Sequence, residues 1–423
     1  MAAAGTTGGR RARQPARRPR ARPVLVWLHR WAGLSMAVFL VMTGLTGSVI
    51  AFDSELDAWL NPDLFRSPGR GPPLTPDALA AAVEAALPGA VAVSLPLNLP
   101  PGEAARVTVR GRVDPAAGRP AALPYDEAFA DPVTGVLLGT RDTSACCGRE
   151  SIVPFLYRFH YMLQLPGDWG HVGRWLLGGV AVLWLLDCFV GAWLTLPRGR
   201  PFLAKWRIAW GMKRHAGFHR ANLDLHRAVG LWLWAVLLAV AVSAIYFNLY
   251  RELFRPVVEL FSPLTPSVYD RPAPPPAAGP PPFGFDEGLA RAQAEARDRG
   301  WTQPPDRIYR SRRGVYAVTY RPSQHRRGAW LGSPVIDIDM RDGRVLQVHV
   351  PGEGSAGDVV MDLQMPLHSG ELLGLPGRIL VCAAGIAVAM LSVTGVLVWW
   401  RKRRASRQMR HRRALRPLRK AAG

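Results

Sequence analysis

Four long apolar runs constrain the fold of this 423-residue chain more than any other feature. They cover residues 24–52, 172–196, 229–250 and 376–400. About 20 apolar residues in a helix cross the hydrocarbon core of a bilayer, and each run is that long. The runs therefore predict a multi-pass membrane protein whose transmembrane part is an all-α bundle of four helices.

The positive charge of the chain indicates how these helices are oriented. The formal net charge is +22, and most of it lies in the blocks 10–22, 198–227 and 401–420, each beside an apolar run. Basic residues accumulate on the cytoplasmic side of membrane proteins. We therefore expect a bacterial inner-membrane protein with both termini in the cytoplasm. Because this topology accounts for the charge, we expect no nucleic-acid partner.

The segments between the first and second runs, and between the third and fourth, have a different pattern. Helical periodicity is found at 75–87 and 285–299. Alternating apolar residues at 105–109, 125–136, 315–320, 334–340 and 345–350 predict strands, with turns at Asp131–Gly135 and Arg341–Gly343. These patterns predict two small extracytoplasmic α+β domains.

The predicted organisation divides the chain into nine segments. They are a basic cytoplasmic tail 1–23, helix 24–52, an outer domain 53–150, a pre-helix and helix 151–197, a basic cytoplasmic loop 198–228, helix 229–250, a Pro-rich linker with a second outer domain 251–370, helix 371–400, and a basic tail 401–423.

One histidine lies at or near the end of each apolar run: His29, His160, His226 and His368. An ionisable residue near the membrane core is a candidate functional residue. In the predicted topology His29 and His226 lie near the cytoplasm, and His160 and His368 lie near the outer surface. Facing imidazoles across a bundle are what a six-coordinate b-type haem requires. We therefore predict two haems, the inner one bound by His29 and His226. The alternative is that these histidines only cap helices or meet lipid headgroups.

Several further residues are candidates for supporting roles. His171 and His219 are alternative ligands. Arg30 and Arg227 follow two of the histidines directly, either as topology anchors or as partners of haem propionates. Asp187 lies within the second run and needs a partner, either a ligand histidine or a neighbouring hydroxyl such as Ser243 or Thr394.

Other motifs limit the possible chemistry. The chain contains no CxxCH for covalent haem, no strong zinc signature, and no GxGxxG for a nicotinamide or flavin. A reductase of this kind would take its electrons from a cytoplasmic donor or from quinol. Cys146 and Cys147 are adjacent, and because bonding them strains the backbone we expect them not to pair with each other.

A set of motifs resembles a known family. The set comprises Leu28-His29-Arg30-Trp31-Ala32-Gly33-Leu34, Leu45-Thr46-Gly47, Phe159-His160-Tyr161, Asp224-Leu225-His226-Arg227, Pro366-Leu367-His368-Ser369-Gly370-Glu371 and Val393-Thr394-Gly395. In this order they resemble the PepSY-associated transmembrane family. The turns at Asp131–Gly135 and Asp339–Arg344 resemble the ends of PepSY domains. The family includes haem-containing reductases of ferric siderophores, so the resemblance implies that chemistry.

Together these observations predict a di-haem electron-transfer protein that reduces an iron(III) chelate, such as a ferric siderophore, on the outer side of the membrane. One alternative is a non-enzymatic PepSY protein that binds peptides or regulates a partner. A second alternative is a component of an iron-chelate transporter, although the chain lacks the broken-helix repeats typical of transporters.

Overall fold

The structure is a computed structural model of the chain, and it describes residues 21–114, 118–165, 167–270, 282–321 and 331–421. Most of the predicted amino-terminal tail and of the Pro-rich linker therefore lies outside the described residues.

The described residues contain thirteen α-helices. They are α1 Ala21–Ile50, α2 Asp53–Leu60, α3 Pro62–Phe65, α4 Pro76–Ala86, α5 Ile152–Met162, α6 Gly170–Thr195, α7 Phe202–Arg207, α8 Phe218–Trp232, α9 Trp234–Asn248, α10 Arg255–Glu259, α11 Phe285–Asp298, α12 Ala356–Ser369 and α13 Leu375–Ala421.

The prediction of a four-helix transmembrane bundle is wrong. Among the described residues, only α1, α6 and α13 are single helices long and apolar enough to cross a membrane. The third predicted span, residues 229–250, covers the end of α8 and all of α9, and these two helices meet at an angle of 68°. The chain therefore has three long apolar helices and one bent pair, which passes the same test only when its two helices are taken together.

Two tryptophans hold the bend between α8 and α9. The indole of Trp232 donates a hydrogen bond to the carbonyl of Trp210, at 3.1 Å. The indole of Trp234 donates to the carbonyl of Cys188 on α6, at 3.0 Å. Leu233, which separates them, has φ −99° and ψ 4°, outside the helical range. Because the two anchors lie on different parts of the chain, the helix axis changes direction between them.

The described residues also contain ten strands, which form one large sheet and one small ribbon. They are β1 Ala90–Pro96, β2 Ala105–Gly111, β3 Val113–Asp114, β4 Arg119–Pro120, β5 Glu127–Ala130, β6 Leu137–Arg141, β7 Pro305–Arg310, β8 Val315–Tyr320, β9 Val335–Asp339 and β10 Val345–His349.

The prediction of two separate α+β domains is also wrong. Both segments contribute to one antiparallel eight-stranded sheet with the order β10-β9-β8-β7-β1-β2-β5-β6. The central contact joins β1 to β7, with Leu95 paired to Ile308. Both of these side chains are fully buried in a core that also holds α4 and α11. Each segment thus supplies four strands, and the two sets meet as the halves of a two-fold dimer would.

The two helices on the sheet cap each other. Asp77, in the first turn of α4, accepts hydrogen bonds from the amides of Phe285 and Asp286 at the start of α11, at 2.7 and 3.0 Å. Asp286 in turn accepts from the amide of Asp77, at 3.0 Å. Carboxylates at helix amino termini satisfy free amides and oppose the helix dipole. The reciprocal contact is further support for an approximate two-fold relation between the halves.

A buried ion-pair cluster connects the sheet to the helices. The guanidinium of Arg141 on β6 bonds Asp57 on α2, at 2.8 Å, and Glu127 on β5, at 2.6 Å. Its side chain is 1% exposed. Nearby, Arg378 on α13 donates two hydrogen bonds to Glu55 on α2, at 2.7 Å. These contacts fix the sheet above the helices.

The adjacent cysteines lie between β6 and α5. Contrary to our expectation, the structure places a disulfide bond between Cys146 and Cys147. Cys188 and Cys382 are free thiols in the apolar helices.

Candidate cofactor site

Two of the four predicted histidines form a pair at the end of the helices away from the sheet. His29 lies in the first third of α1, and His226 lies on α8. Their ring centroids are 6.2 Å apart, and the ring planes are inclined at 63°. We call this the distal pair, because α1 runs from it toward α2 and the sheet.

The other two histidines form a second pair near the sheet. His160 on α5 and His368 on α12 have ring centroids 6.1 Å apart, with an interplanar angle of 67°. The ring of Phe247 packs edge-on against His368 at 5.1 Å. We call this the proximal pair. His160 bonds Thr46 on α1, which lies 17 residues after His29, so roughly 25 Å of helix separates the two pairs.

Each of the four histidine rings is held by a hydrogen bond at Nδ1. The partners are Asp187 for His29 at 2.9 Å, Thr46 for His160 at 3.0 Å, Thr394 and the carbonyl of Leu391 for His226 at 3.0 Å each, and Ser243 for His368 at 2.8 Å. Bonds from a second shell of this kind fix the orientation and tautomer of ligand imidazoles in metal sites.

The hydroxyl partners determine which ring nitrogen carries the proton. Thr46 donates its hydroxyl proton to the carbonyl of Met42 at 2.8 Å, and Ser243 donates to that of Ala239 at 2.9 Å. A hydroxyl whose proton is used in this way accepts a hydrogen bond from Nδ1 of the histidine. At His226 the carbonyl of Leu391 can only accept, so Nδ1 donates there. A neutral ring with its proton on Nδ1 leaves the lone pair of Nε2 free.

A glycine lies against three of the four rings, and two of these glycines, Gly47 and Gly395, leave space that a side chain would take. A Cβ on Gly191 would lie 3.5 Å from Cε1 of His29, and one on Gly395 would lie 3.3 Å from Cε1 of His226. A Cβ on Gly47 would lie 2.9 Å from Cε1 of His160, closer than real contacts allow. Gly47 and Gly395 follow directly after the hydroxyl partners Thr46 and Thr394. The Thr-Gly dipeptide thus provides both the acceptor and the space for a ring.

The distal pair opens into a cavity of about 370 Å³. Its lining includes His29, His226, Asp187, Arg30 and Lys402. Most of the lining is apolar, with a few polar groups that converge on the two rings. Small-molecule and cofactor sites commonly have this size and character.

The two halves of the chain supply the pairs in the same way. The sequence Leu28-His29-Arg30 with Gly33-Leu34 recurs as Leu225-His226-Arg227 with Gly230-Leu231. Ser243 lies 17 residues after His226, as Thr46 does after His29. Each histidine bonds a partner in its own half of the chain, but faces a histidine of the other half. Both pairs therefore lie where the halves meet.

The alternative ligands are not at these pairs. His171 is exposed and packs edge-on against Trp175, with ring centroids 5.6 Å apart. His219 is exposed at the start of α8. Neither forms a ring contact with any of the four paired histidines among the described residues.

The two arginines predicted to meet haem propionates differ. Arg227 donates to Asp224 at 3.0 Å and to the carbonyls of Ala209 and Ile208, so it anchors the segment before α8. Both arginines line the cavity, but no hydrogen bond or ion pair engages Arg30 within the part of the chain that the structure describes.

Sequence reasoning missed some of the residues that hold the rings. Ser243 and Thr394 were considered only as partners of Asp187, which bonds His29 instead. Thr46 and the three glycines were not given a role. No local signal singles out Thr46 and Thr394, because the Thr-Gly dipeptide occurs twice in the first run, at Thr43-Gly44 and Thr46-Gly47, and once in the fourth.

Comparison with known families gives one result. The family model described as the PepSY-associated TM region matches residues 26–402. The match includes all four paired histidines and the whole sheet. No curated protein matches the sequence.

Proposed function

Since the chain belongs to the family of the PepSY-associated TM region, we propose that it is a membrane protein that binds two b-type haems, one at each histidine pair. It carries electrons from the distal pair to the proximal pair. On the side of the sheet it reduces an iron(III) chelate, with a ferric siderophore as the substrate class, as part of iron acquisition.

The spacing of the rings supports this proposal more directly than any other observation. A bond from a histidine nitrogen to a first-row metal is about 2.0 Å, so two imidazoles on opposite sides of one iron have centroids roughly 6 Å apart. The observed separations are 6.2 and 6.1 Å. Binding of two imidazoles to one iron requires no particular angle between their planes, so the angles of 63° and 67° are compatible with this arrangement.

The number of protein ligands favours haem over a bare metal ion. Structural zinc takes four protein ligands, and catalytic zinc takes three. Among the described residues, no group of three or more His, Cys, Asp or Glu side chains could hold a metal ion. Haem iron needs only two axial ligands from the protein, because the macrocycle supplies the others. Two facing histidines with free Nε2 atoms match that requirement.

The charged residues at the distal cavity suit the rest of the cofactor. Arg30 lines the cavity and has no hydrogen-bond or ion-pair partner among the described residues, and Lys402 lines the cavity as well. Haem propionates are carboxylates, which an arginine fork binds well. Arg227 is already engaged by Asp224 and backbone carbonyls, so we assign it to anchoring and not to the propionates.

The protein's own residues orient and isolate the cofactors. When bound, haem supplies reversible one-electron transfer at its iron. The Nδ1 bonds fix the four rings, and the apolar helices exclude water around them. With haem bound, His29 and His226 would hold the centre that takes up an electron from a cytoplasmic donor or quinol. His160 and His368 would hold the centre that passes an electron to the iron(III) of the chelate, and the hard oxygen ligands of siderophores hold the resulting iron(II) poorly.

The distribution of charge supports the direction of transfer. The basic blocks 198–227 and 401–420 lie beside the distal ends of the apolar helices. Basic residues concentrate on the cytoplasmic side. We therefore propose an inner-membrane orientation with both termini in the cytoplasm and the sheet outside.

The proposal is tested by counting haem. Protein purified in detergent should bind two b-type haems per chain, by pyridine haemochrome assay and dithionite-reduced absorbance. His226→Ala should lose one haem because it removes one axial ligand. The matched control is His219→Ala, which changes an exposed histidine of the same helix and should keep both haems.

The same assay separates the alternatives. Protein that stays colourless after expression with excess haem would refute the proposal and favour a peptide-binding or regulatory function. Two haems per chain together with iron-chelate uptake into vesicles without reduction would favour a transporter component.

A further inference from the structure

The four histidines differ in one respect, which is the charge of their partners. Thr46, Ser243 and Thr394 are hydroxyls that hold His160, His368 and His226. The partner of His29 is instead the carboxylate of Asp187. Asp187 lies four residues before Gly191, whereas Thr394 directly precedes Gly395, so both the charge and the position of this partner break the approximate two-fold relation at the distal pair.

The carboxylate of Asp187 is directed at His29. Its two oxygens lie 2.9 and 3.0 Å from Nδ1 of His29. Asp187 is 8% exposed, on an apolar helix, and no lysine or arginine pairs with it within the described part of the chain. A buried carboxylate without a cation is unfavourable in such surroundings. The hydrogen bond from His29 is thus its only polar support among the described contacts.

A carboxylate in this position changes the electronic properties of a ligand histidine. It strengthens the basicity of the imidazole that donates to it. Ferric iron carries one more positive charge than ferrous iron, so a more basic ligand and a nearby negative charge stabilise the ferric form. The effect is stronger in a low-dielectric interior than in water. Hydroxyl partners carry no charge and have a smaller effect.

We infer that Asp187 is a positioning residue that lowers the reduction potential of the distal haem below that of the proximal haem. This inference rests on the proposed function. The electron then passes downhill from the distal centre, which is oxidised, to the proximal centre, which is reduced. A chain that is nearly symmetric in its ligands thus transfers electrons in one direction, toward the sheet.

The test is an optical redox titration of the purified protein with both haems bound. The wild type should show two distinct midpoint potentials, and the lower one should disappear in His29→Ala. In Asp187→Asn the lower midpoint potential should rise by at least about 59 mV, which corresponds to a tenfold change in the equilibrium constant of a one-electron reduction. The upper potential should stay unchanged and serves as the internal control.

A second variant tests the inference in case Asp187→Asn disrupts the haem site. Asp187→Thr replaces the carboxylate by a hydroxyl, the kind of partner that holds the other three rings, and should also raise the lower potential. If Asp187→Asn and Asp187→Thr keep both haems and both potentials, the inference is wrong while the proposed function stands. Equal potentials in the wild type, or a lower potential that survives in His29→Ala, would also overturn it. Absence of haem from the wild type would instead refute the proposed function itself.

Discussion

The hydroxyls that hold the histidine rings act by a simple mechanism at the scale of single residues. Thr46, Ser243 and Thr394 each donate their own proton to a backbone carbonyl one turn earlier in the helix. The oxygen is then available as an acceptor, and a histidine that donates to it carries its proton on Nδ1. A hydroxyl on an apolar helix thereby sets the tautomer of a ring without introducing a charge.

The buried carboxyl group of Asp337, on strand β9 of the sheet, should make the stability of the folded protein depend on pH. Burial raises the pKa of Asp337 to about 6, and its carboxylate accepts a hydrogen bond from Tyr269 at 3.0 Å. A carboxyl with a raised pKa binds more protons in the folded state. Its contribution to stability is therefore complete below about pH 4 and is lost as the pH rises through about 6. The hydrogen bond to Asp362 also raises the pKa of His349, so His349 changes stability in the same direction at higher pH.

Asp337→Asn should remove the part of this pH dependence that comes from residue 337 and leave the part that comes from His349. The variant should gain stability relative to wild type as the pH rises from about 4 to about 7, by up to about 2 kcal/mol. Thermal unfolding of the detergent-purified protein across this range measures the difference. A constant difference between the two proteins at every pH would show that Asp337 does not titrate in this way.

At the scale of elements, α1 and α13 approach each other through two glycines. A Cβ on Gly44 would lie 2.5 Å from the carbonyl oxygen of Gly385, and one on Gly385 would lie 2.5 Å from that of Gly44. Ser48 also donates to the carbonyl of Cys382 at 2.8 Å. Small residues at such positions allow helix backbones to pack closely in membranes. Because α1 carries His29 and Thr46, this contact positions parts of both pairs.

Gly44→Val should force these helices apart. We expect a loss of about 1–3 kcal/mol from overpacking, seen as a lower melting temperature, and a weaker haem spectrum. The matched control is Gly179→Val on α6, where an added Cβ meets no atom within 4 Å. Equal destabilisation by both changes would show that helix propensity, and not the α1–α13 contact, accounts for the loss.

The elements also show what sequence patterns can and cannot predict. The turns at Asp131–Gly135 and Asp339–Arg344 identified the outer hairpins of the sheet, because turn chemistry is local. The central strands β1 and β7 were missed. Each pairs with a strand of the other half, and β7 has no regular apolar alternation. The bend at Leu233 was missed as well, since it depends on bonds from Trp232 and Trp234 to distant carbonyls.

The histidines of the candidate site could be identified from their positions at the ends of the apolar runs, but their partners could not. The ring of each histidine and its side-chain partner are between 114 and 168 residues apart. No local pattern specifies contacts over that distance. That the histidines bind iron stays a prediction.

At the scale of the whole molecule, the chain consists of two similar halves that meet along one surface. The central strands β1 and β7 pair along it, α4 and α11 cap each other across it, and each histidine pair takes one ring from each half. The sheet and the sites are therefore parts of the same interface. Neither half contains a complete pair.

The most direct test of the account is the haem content of two double variants. His29→Ala with His226→Ala removes both rings of the distal pair, and we expect one haem per chain to remain. His29→Ala with His368→Ala removes one ring from each pair, and we expect no bis-histidine haem to remain. The result that would contradict the account is the reverse pattern, or the same haem content in both variants, because the four histidines would then not pair across the halves.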